Sequence, residues 1–174
     1  MEPSQRHVWV EAVHATPTML VLAVTGGGMA AVTDLLLVPG ASRTVLEVTV
    51  PYAETALTSM TGDAGSAVSL ETAGAMAAAA YERALALRPA EDVPVVGVAC
   101  TAALVTDRER RGSDRACVAW VDANGTNADE FVLEKAAAGQ AGRARAAQDR
   151  AVADQLLRII VAATGASVDS EAPE

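Results

Sequence analysis

A turn of three glycines stands where an apolar strand is predicted to pass into a helix. The strand comprises Met19 to Val24, the turn reads Thr25-Gly26-Gly27-Gly28, and the helical pattern continues to Leu37. A parallel strand that leads through such a turn brings unpaired backbone N–H groups and the positive end of a helix dipole together, which suits an anion. We therefore predict that all four turn residues bind a ligand. The turn carries no Ser, Cys, Lys or His, so the catalytic residues stay unknown.

The same glycines allow two other interpretations. Gly26-x-Gly28-x-x-Ala31 satisfies the dinucleotide-binding fingerprint, but the acidic residue that should end the second strand is replaced by Val50-Pro51, and Glu47 falls inside that strand. A phosphate-binding loop of the ATPase type is excluded because the only lysine, Lys135, is far from the turn. Alternatively, the glycines only let the strand and the helix approach closely.

Four arginines follow the third predicted strand within eight positions: Arg108, Arg110, Arg111 and Arg115. Guanidinium groups bind phosphate or carboxylate bidentately, and two connections that leave the carboxyl ends of strands can converge on one crevice. We predict a nucleotide or another phosphorylated small metabolite as the ligand, with further contacts from Tyr52, Thr101, Thr106, Arg108, Arg111 and Arg115. In the alternative, the arginines are solvated and pair with Asp107, Glu109 and Asp114.

The remaining reactive side chains form no recognisable site. His7 and His14 lie seven positions apart, which is more typical of a helix surface than of metal ligands, so we predict neither a metal nor a cofactor. Cys100 and Cys117 each lie in an apolar stretch and are predicted to be buried, reduced thiols. No Gly-x-Ser-x-Gly nucleophile elbow occurs.

Composition limits the class of protein. The chain has 174 residues, a formal charge of −9 and a hydrophobic fraction of 51%, of which aromatic residues account for little. Like charge repels polyanions, so the charge argues against nucleic acids and membranes as partners. No export signal and no run of membrane-spanning length occurs, which favours the cytoplasm. We predict one domain over residues 1–165 and a polar, frayed tail over residues 166–174.

Helices alternate with strands early in the chain, and a hairpin follows later. We predict helices at Ser4 to His14, Gly28 to Leu37, Glu54 to Met60, Ser69 to Leu87 and Ala141 to Ala163. Strands are predicted at Met19 to Val24, Thr44 to Val50, Pro94 to Cys100, Arg115 to Val121 and Glu130 to Glu134, with a turn at Asn124-Gly125. The second helix should place Met29, Val32, Leu35 and Leu36 on one side. This order predicts an α/β layered fold with a mixed sheet.

Five motifs in order resemble the CinA C-terminal domain family, which includes nicotinamide-nucleotide amidohydrolases. They are Thr25-Gly26-Gly27, Leu37-Val38-Pro39-Gly40-Ala41-Ser42, Val50-Pro51-Tyr52, Gly65-Ser66-Ala67-Val68-Ser69 and Met76-Ala77. The resemblance spans Thr18 to Ala163. It implies a three-layer α/β/α domain, a homodimer, and hydrolysis of the amide of nicotinamide mononucleotide with release of ammonia.

The chain departs from the resemblance at the reactive residues. In active members the turn reads Glu-Ser-Cys-Thr-Gly-Gly with the serine as nucleophile, and here Ala23 stands at the serine position. Leu57 stands where the family has its activating lysine. Of the family loop Thr-Gly-x-Ala-Gly-Pro only Thr101 carries over. The chain therefore is similar to a divergent branch that lacks the Ser/Lys pair.

Two hypotheses follow. In the first, the chain is a binding module that retains a pocket for a nucleotide or another phosphorylated metabolite without amidase chemistry. In the second, it is a nicotinamide-nucleotide amidohydrolase with a rearranged catalytic set, in which Thr25 is the only hydroxyl on the turn.

Overall fold

Five strands form one sheet in the computed structural model, which describes residues 1–62, 65–107, 112–135 and 141–168. They are β1 (Met19–Thr25), β2 (Val45–Thr49), β3 (Val95–Ala103), β4 (Arg115–Asp122) and β5 (Gly125–Val132). Their order in the sheet is β2-β1-β3-β4-β5, with β1 parallel to both β2 and β3 and with β4 and β5 antiparallel to their neighbours. The predicted mixed sheet is confirmed.

Helices cover both faces of this sheet. They are α1 (Pro3–His14), α2 (Met29–Leu37), α3 (Glu54–Thr61), α4 (Leu70–Leu87) and α5 (Ala141–Thr164). Residues of α1, α2 and α5 share one core cluster with Leu20, Leu22 and Val24 of β1. Residues of α3 and α4 share a second cluster with Val21 and Ala23 on the opposite face of the same strand. The three-layer α/β/α architecture is therefore confirmed, and burial on both faces explains why β1 is apolar throughout.

The long helix α4 lies unusually close to the sheet. A Cβ atom at Gly97 of β3 would stand 2.1 Å from the Tyr81 nitrogen and 2.3 Å from the Ala77 oxygen, so only glycine fits. The helix begins as its sequence predicts, because the Ser69 hydroxyl accepts a hydrogen bond from the Thr72 N–H at 3.1 Å. This close packing fixes where the middle of α4 lies on the sheet.

The last strand differs from its prediction. The structure places β5 at Gly125–Val132, directly after the turn, whereas the β-branched and apolar residues near Glu130 favoured a later start. Asp122 pairs with Gly125, so Ala123 and Asn124 form the tip of the hairpin, and the predicted turn at Asn124-Gly125 is one residue too late. The strand is exposed along most of its length and therefore lacks the apolar alternation that marks a half-buried strand.

The predicted inward side of α2 is wrong for two residues. Leu35 is buried, but Met29 and Leu36 are 40% and 51% exposed. The core-facing direction is set instead by Ala31, Leu35 and Val38, which recur at spacings of four and three and are all buried. Met29 and Leu36 lie on the opposite side of the helix.

His14 is buried, contrary to the surface position that its spacing suggested. Its Nε2 lies 2.9 Å from the Leu35 carbonyl oxygen and its Nδ1 lies 3.1 Å from the Thr44 hydroxyl. A carbonyl oxygen only accepts, so Nε2 carries the proton and Nδ1 accepts from Thr44. Both ring nitrogens are satisfied, which permits burial of the neutral ring.

Candidate functional site

The glycine turn between β1 and α2 requires glycine at two of its positions. Gly26 has φ +78°, and a Cβ there would stand 1.9 Å from the Ala102 carbonyl oxygen. Gly28 has φ +89°, and its Cβ would contact Val152 and Leu156 of α5 at 3.2 and 3.4 Å. Both the left-handed backbone and the close approach of neighbouring segments therefore exclude larger residues.

The N-terminus of α2 is not free to bind an anion. The carboxylate of Asp149 on α5 accepts hydrogen bonds from the backbone N–H groups of Gly28, Met29 and Ala30 at 2.7, 3.0 and 3.1 Å. The prediction that these N–H groups are unpaired is therefore wrong, because the chain supplies its own anion to the positive end of the helix dipole.

A cleft opens beside the turn, where β1 and β3 end. Its inner compartment has a volume of about 330 Å³ and is lined by segments of β1, β3, α3, α4 and the loop before α4: Thr25, Gly26, Tyr52, Glu54, Leu57, Thr58, Thr61, Gly62, Gly65, Ala67, Val68, Thr72, Thr101 and Ala102. Its outer compartment, about 480 Å³, is lined by Gly26, Tyr52, Val68, Ala102, Ala103, Leu104, Thr106, Asp107 and Arg145. The shared residues, which include Gly26 and Tyr52, make the two compartments continuous.

The structure brings half of the predicted site residues to this cleft. Thr25, Gly26, Tyr52 and Thr101 line the inner compartment, and Gly26, Tyr52 and Thr106 line the outer one. Gly27 and Gly28 instead pack against the interior: a Cβ at Gly27 would meet the Leu104 side chain at 2.9 Å.

Arg115 is the one member of the arginine run that lies among the described residues. Arg115 donates to the Val68 carbonyl oxygen at 2.8 Å and lies 4.0 Å from a Glu130 carboxylate oxygen, and it is not among the residues that line the cleft. Arg108, Arg110 and Arg111 lie outside the described residues. Among the described residues, Arg115 therefore pairs with Glu130.

One guanidinium that the sequence analysis missed lines the outer compartment. Arg145 of α5 donates to the Val105 carbonyl oxygen at 2.9 Å, and to the Gly26 carbonyl oxygen and the Tyr52 hydroxyl, each at 3.3 Å. A signal for it exists in the sequence. Val152 and Leu156 are buried on one side of α5. Polar residues follow on the same side toward the N-terminus, with Asp149 one turn before Val152 and Arg145 two turns before it.

Gln148 completes the polar end of α5. Its side chain is buried, accepts from the Val105 N–H at 2.7 Å, and donates to the Asp114 carboxylate at 2.9 Å and the Glu134 carbonyl oxygen at 2.8 Å. The first turns of α5 therefore hold the glycine turn, the segment after β3 and the segment after β5 in fixed relation. The geometry of the outer compartment depends on this helix.

Several hydroxyl groups along the inner compartment already donate their protons to the backbone. Thr61 donates to the Leu57 carbonyl oxygen at 2.9 Å, Thr72 to that of Ser66 at 2.6 Å, and Thr101 to that of Ala67 at 2.6 Å. Thr25 lines the same space, and no hydrogen bond joins its hydroxyl to another described residue.

Both cysteines are free and buried, as predicted. The Cys100 thiol lies 3.7 Å from the Gly27 carbonyl oxygen, and burial raises its pKa. Burial also raises the pKa of Cys117 to about 11, together with its contact to Glu130. Both thiols therefore stay protonated at neutral pH, and a thiol is a poor nucleophile in that form.

Among the described residues, no group of three or more His, Cys, Asp and Glu side chains is placed to hold a metal ion. Within the same part of the chain, no helix has both the length and the apolar character needed to cross a bilayer.

Comparison with known proteins finds relatives by structure and not by sequence. No protein-family model and no curated protein sequence matches the chain. The crystal structure of the competence/damage inducible protein CihA from Agrobacterium tumefaciens is similar with a TM-score of 0.64 and 22% identity, over 91% of this chain and 98% of that one.

Two enterobacterial structures agree with this likeness. A competence-damaged protein (CinA) superfamily protein from Escherichia coli has a TM-score of 0.66 and 17% identity, over 91% of this chain and 93% of that one. The competence damage-inducible protein A (ComA) of Klebsiella pneumoniae has a TM-score of 0.65 and 16% identity, over 88% and 96% of the two chains. The chain thus has the fold of the CinA proteins.

Proposed function

We propose that this CinA-like domain binds a nucleotide or another phosphorylated small metabolite in its cleft, and that it does so without amidase chemistry. The observation that carries the proposal is the placement of Arg145. Its guanidinium is held by three oxygens from three separate segments: Val105, Gly26 and Tyr52. A guanidinium has five N–H donors, so two N–H groups of Arg145 remain for a ligand in the outer compartment.

The positions of the family's reactive pair support the second half of the proposal. Ala23 and Leu57, which the resemblance aligns with the serine nucleophile and the activating lysine, belong to the same apolar cluster between the sheet and α4. Two buried apolar side chains supply neither a nucleophile nor a base. The two thiols nearby are protonated at neutral pH because burial raises their pKa.

The first experiment is a calorimetric titration of the protein with inorganic phosphate and with adenosine monophosphate. We expect binding of the nucleotide, weakened about tenfold or more in Arg145→Gln because a charge-assisted contact to phosphate is lost. Arg143→Gln is the matched control, since Arg143 is exposed on the same helix and lines neither compartment. Equal affinity in the wild type and in Arg145→Gln would contradict the proposal.

Amidase activity is tested separately, by ammonia release from nicotinamide mononucleotide. We expect none above the background hydrolysis rate. The alternative is an active amidohydrolase with a rearranged catalytic set, and it is favoured by one observation: the Thr25 hydroxyl lines the cleft without a described partner. Ammonia release by the wild type that is lost in Thr25→Val would establish that alternative.

We also propose that the chain forms a homodimer through the outer side of α2. This side presents Met29, Leu36 and Leu37, of which Leu37 is 77% exposed. The only charged residue of the helix, Asp34, is paired with Arg6 and Arg150. Two copies that each carry a charge of −9 can therefore approach along this side with little repulsion.

Sedimentation velocity tests the dimer. We expect the wild type to sediment as a dimer and Leu36→Glu as a monomer, because a carboxylate would be buried without a partner in the interface. Val132→Glu on β5 is the matched control, since Val132 is 69% exposed and lies on a different element. A dimer that survives Leu36→Glu, or a monomeric wild type, would contradict the proposal.

A further inference from the structure

The side chains of the inner compartment offer hydrogen-bond acceptors more than donors. Thr72 and Thr101 are each only 1% exposed, and both give their hydroxyl protons to carbonyl oxygens of the loop before α4, those of Ser66 and Ala67. Thr61 gives its proton to Leu57 within α3. A hydroxyl whose proton is committed in this way can only accept from a further partner. The Thr72 hydroxyl already accepts from the Ser69 hydroxyl at 3.2 Å, which leaves it one further acceptor position.

Charge strengthens the same preference. Glu54, at the start of α3, is the only charged side chain among the described residues that line the inner compartment. An ionised carboxylate accepts hydrogen bonds and repels a second anion. The hydroxyls of Thr25 and Thr58 can act as donor or acceptor, so they do not oppose this preference.

The outer compartment differs because it holds a cation. Arg145, whose guanidinium only donates, is the only cation among its described lining residues, and the Asp107 carboxylate lines the same compartment. The Tyr52 hydroxyl accepts from Arg145 at 3.3 Å and lines both compartments, so it lies between the part of the cleft that holds Arg145 and the part that holds Glu54.

We infer that the inner compartment selects a group rich in hydrogen-bond donors, such as the hydroxyls of a polyol or a protonated amine, at the end of the ligand opposite to its phosphate. The inference rests on the proposed function, since it takes the phosphate to lie at Arg145. A volume of about 330 Å³ accommodates a small group of this kind. A ligand with an anion at both ends would place one of them beside Glu54.

The experiment compares four compounds that share a phosphate and differ at the other end. They are inorganic phosphate, glycerol 3-phosphate with two hydroxyls, phosphoethanolamine with an ammonium group, and phosphoglycolate with a second anion. We expect glycerol 3-phosphate and phosphoethanolamine to bind about tenfold more tightly than inorganic phosphate, and phosphoglycolate to bind more weakly than either. The relative affinity of the polyol and the amine shows which donor the compartment prefers.

Glu54→Gln identifies the origin of the selectivity. The variant should reduce the advantage of phosphoethanolamine over phosphoglycolate, because the charge of the inner compartment is removed. Glu54 is exposed, so the substitution spares the core. Glu82→Gln, an exposed carboxylate on α4 that lines neither compartment, is the matched control.

The outcomes separate this inference from the proposed function. If phosphoglycolate binds as tightly as phosphoethanolamine while all compounds depend on Arg145, the donor selectivity is overturned and phosphate binding stands. If none of the four compounds nor adenosine monophosphate binds, both proposals fail. Selectivity that persists in Glu54→Gln and is equal in Glu82→Gln would overturn the assignment of Glu54.

Discussion

Helices α2 and α4 both begin beside the cleft, but they are held at their ends in different ways. The first N–H groups of α2 bind Asp149, a residue about 120 positions later, and its Leu35 carbonyl oxygen accepts from His14 of α1. The first N–H groups of α4 include that of Thr72, which binds Ser69 directly before the helix. Its last turn is closed by the Arg88 N–H to the Ala84 carbonyl oxygen.

This difference separates local from long-range determinants of the site. The ends of α4 are capped by neighbours in sequence, although Thr101 and Arg115 also donate to the loop before the helix. The ends of α2 depend on two other helices, and the turn that leads into α2 forms one side of the cleft. The capping of α2 should therefore respond to distant substitutions, and the capping of α4 to neighbouring ones.

Removal of the Asp149 carboxylate should cause the largest change in the free energy of unfolding among the tests of this difference. We expect Asp149→Ala to lower the free energy of unfolding by about 3 kcal/mol, because three N–H groups lose a charged acceptor and the helix dipole loses its counter-charge. Urea denaturation measures the change. Asp92→Ala, at an exposed carboxylate outside the helices, is the control and should change stability by less than about 0.5 kcal/mol.

Removal of the local cap of α4 should have a smaller effect. We expect Ser69→Ala to cost about 1 kcal/mol in the same urea experiment, the usual value for an N-cap hydroxyl. Ser59→Ala, at an exposed hydroxyl inside α3, controls for the loss of a surface serine. If Ser69→Ala cost as much as Asp149→Ala, the distinction between locally and distantly held helices would not hold.

Most of the fold could be predicted because its signals are local. The apolar run of β1, the Ser69 cap and the alanine-rich stretch of α4 each report on a structure formed within a few residues, and all three are confirmed. The predicted position of β5 was too late in the chain, because an exposed edge strand such as Gly125–Val132 carries no pattern of burial.

The site was harder to predict, because its polar contacts join segments far apart in sequence. The glycine turn correctly indicated where a cleft forms, but no residue near the turn indicates that Asp149 binds the N-terminus of α2. The arginine run after β3 drew the prediction toward Arg115, while Arg145 on α5 lies in the cleft. The sequence signal for Arg145 is the continuation of a buried helical stripe into polar residues.

The pH dependence of stability tests the other end of α2 and is the mildest perturbation. Burial lowers the pKa of His14 below its ordinary value of 6.5. As the pH falls below 6.5, the unfolded chain therefore binds a proton at His14 that the folded chain does not, so the free energy of unfolding decreases until the folded His14 is also protonated. In His14→Gln, whose amide can still donate to Leu35 and accept from Thr44, the decrease in this interval should shrink. Urea denaturation at pH values from 7.5 downward measures both slopes, and equal slopes in the two proteins would show that His14 does not couple the end of α2 to protonation.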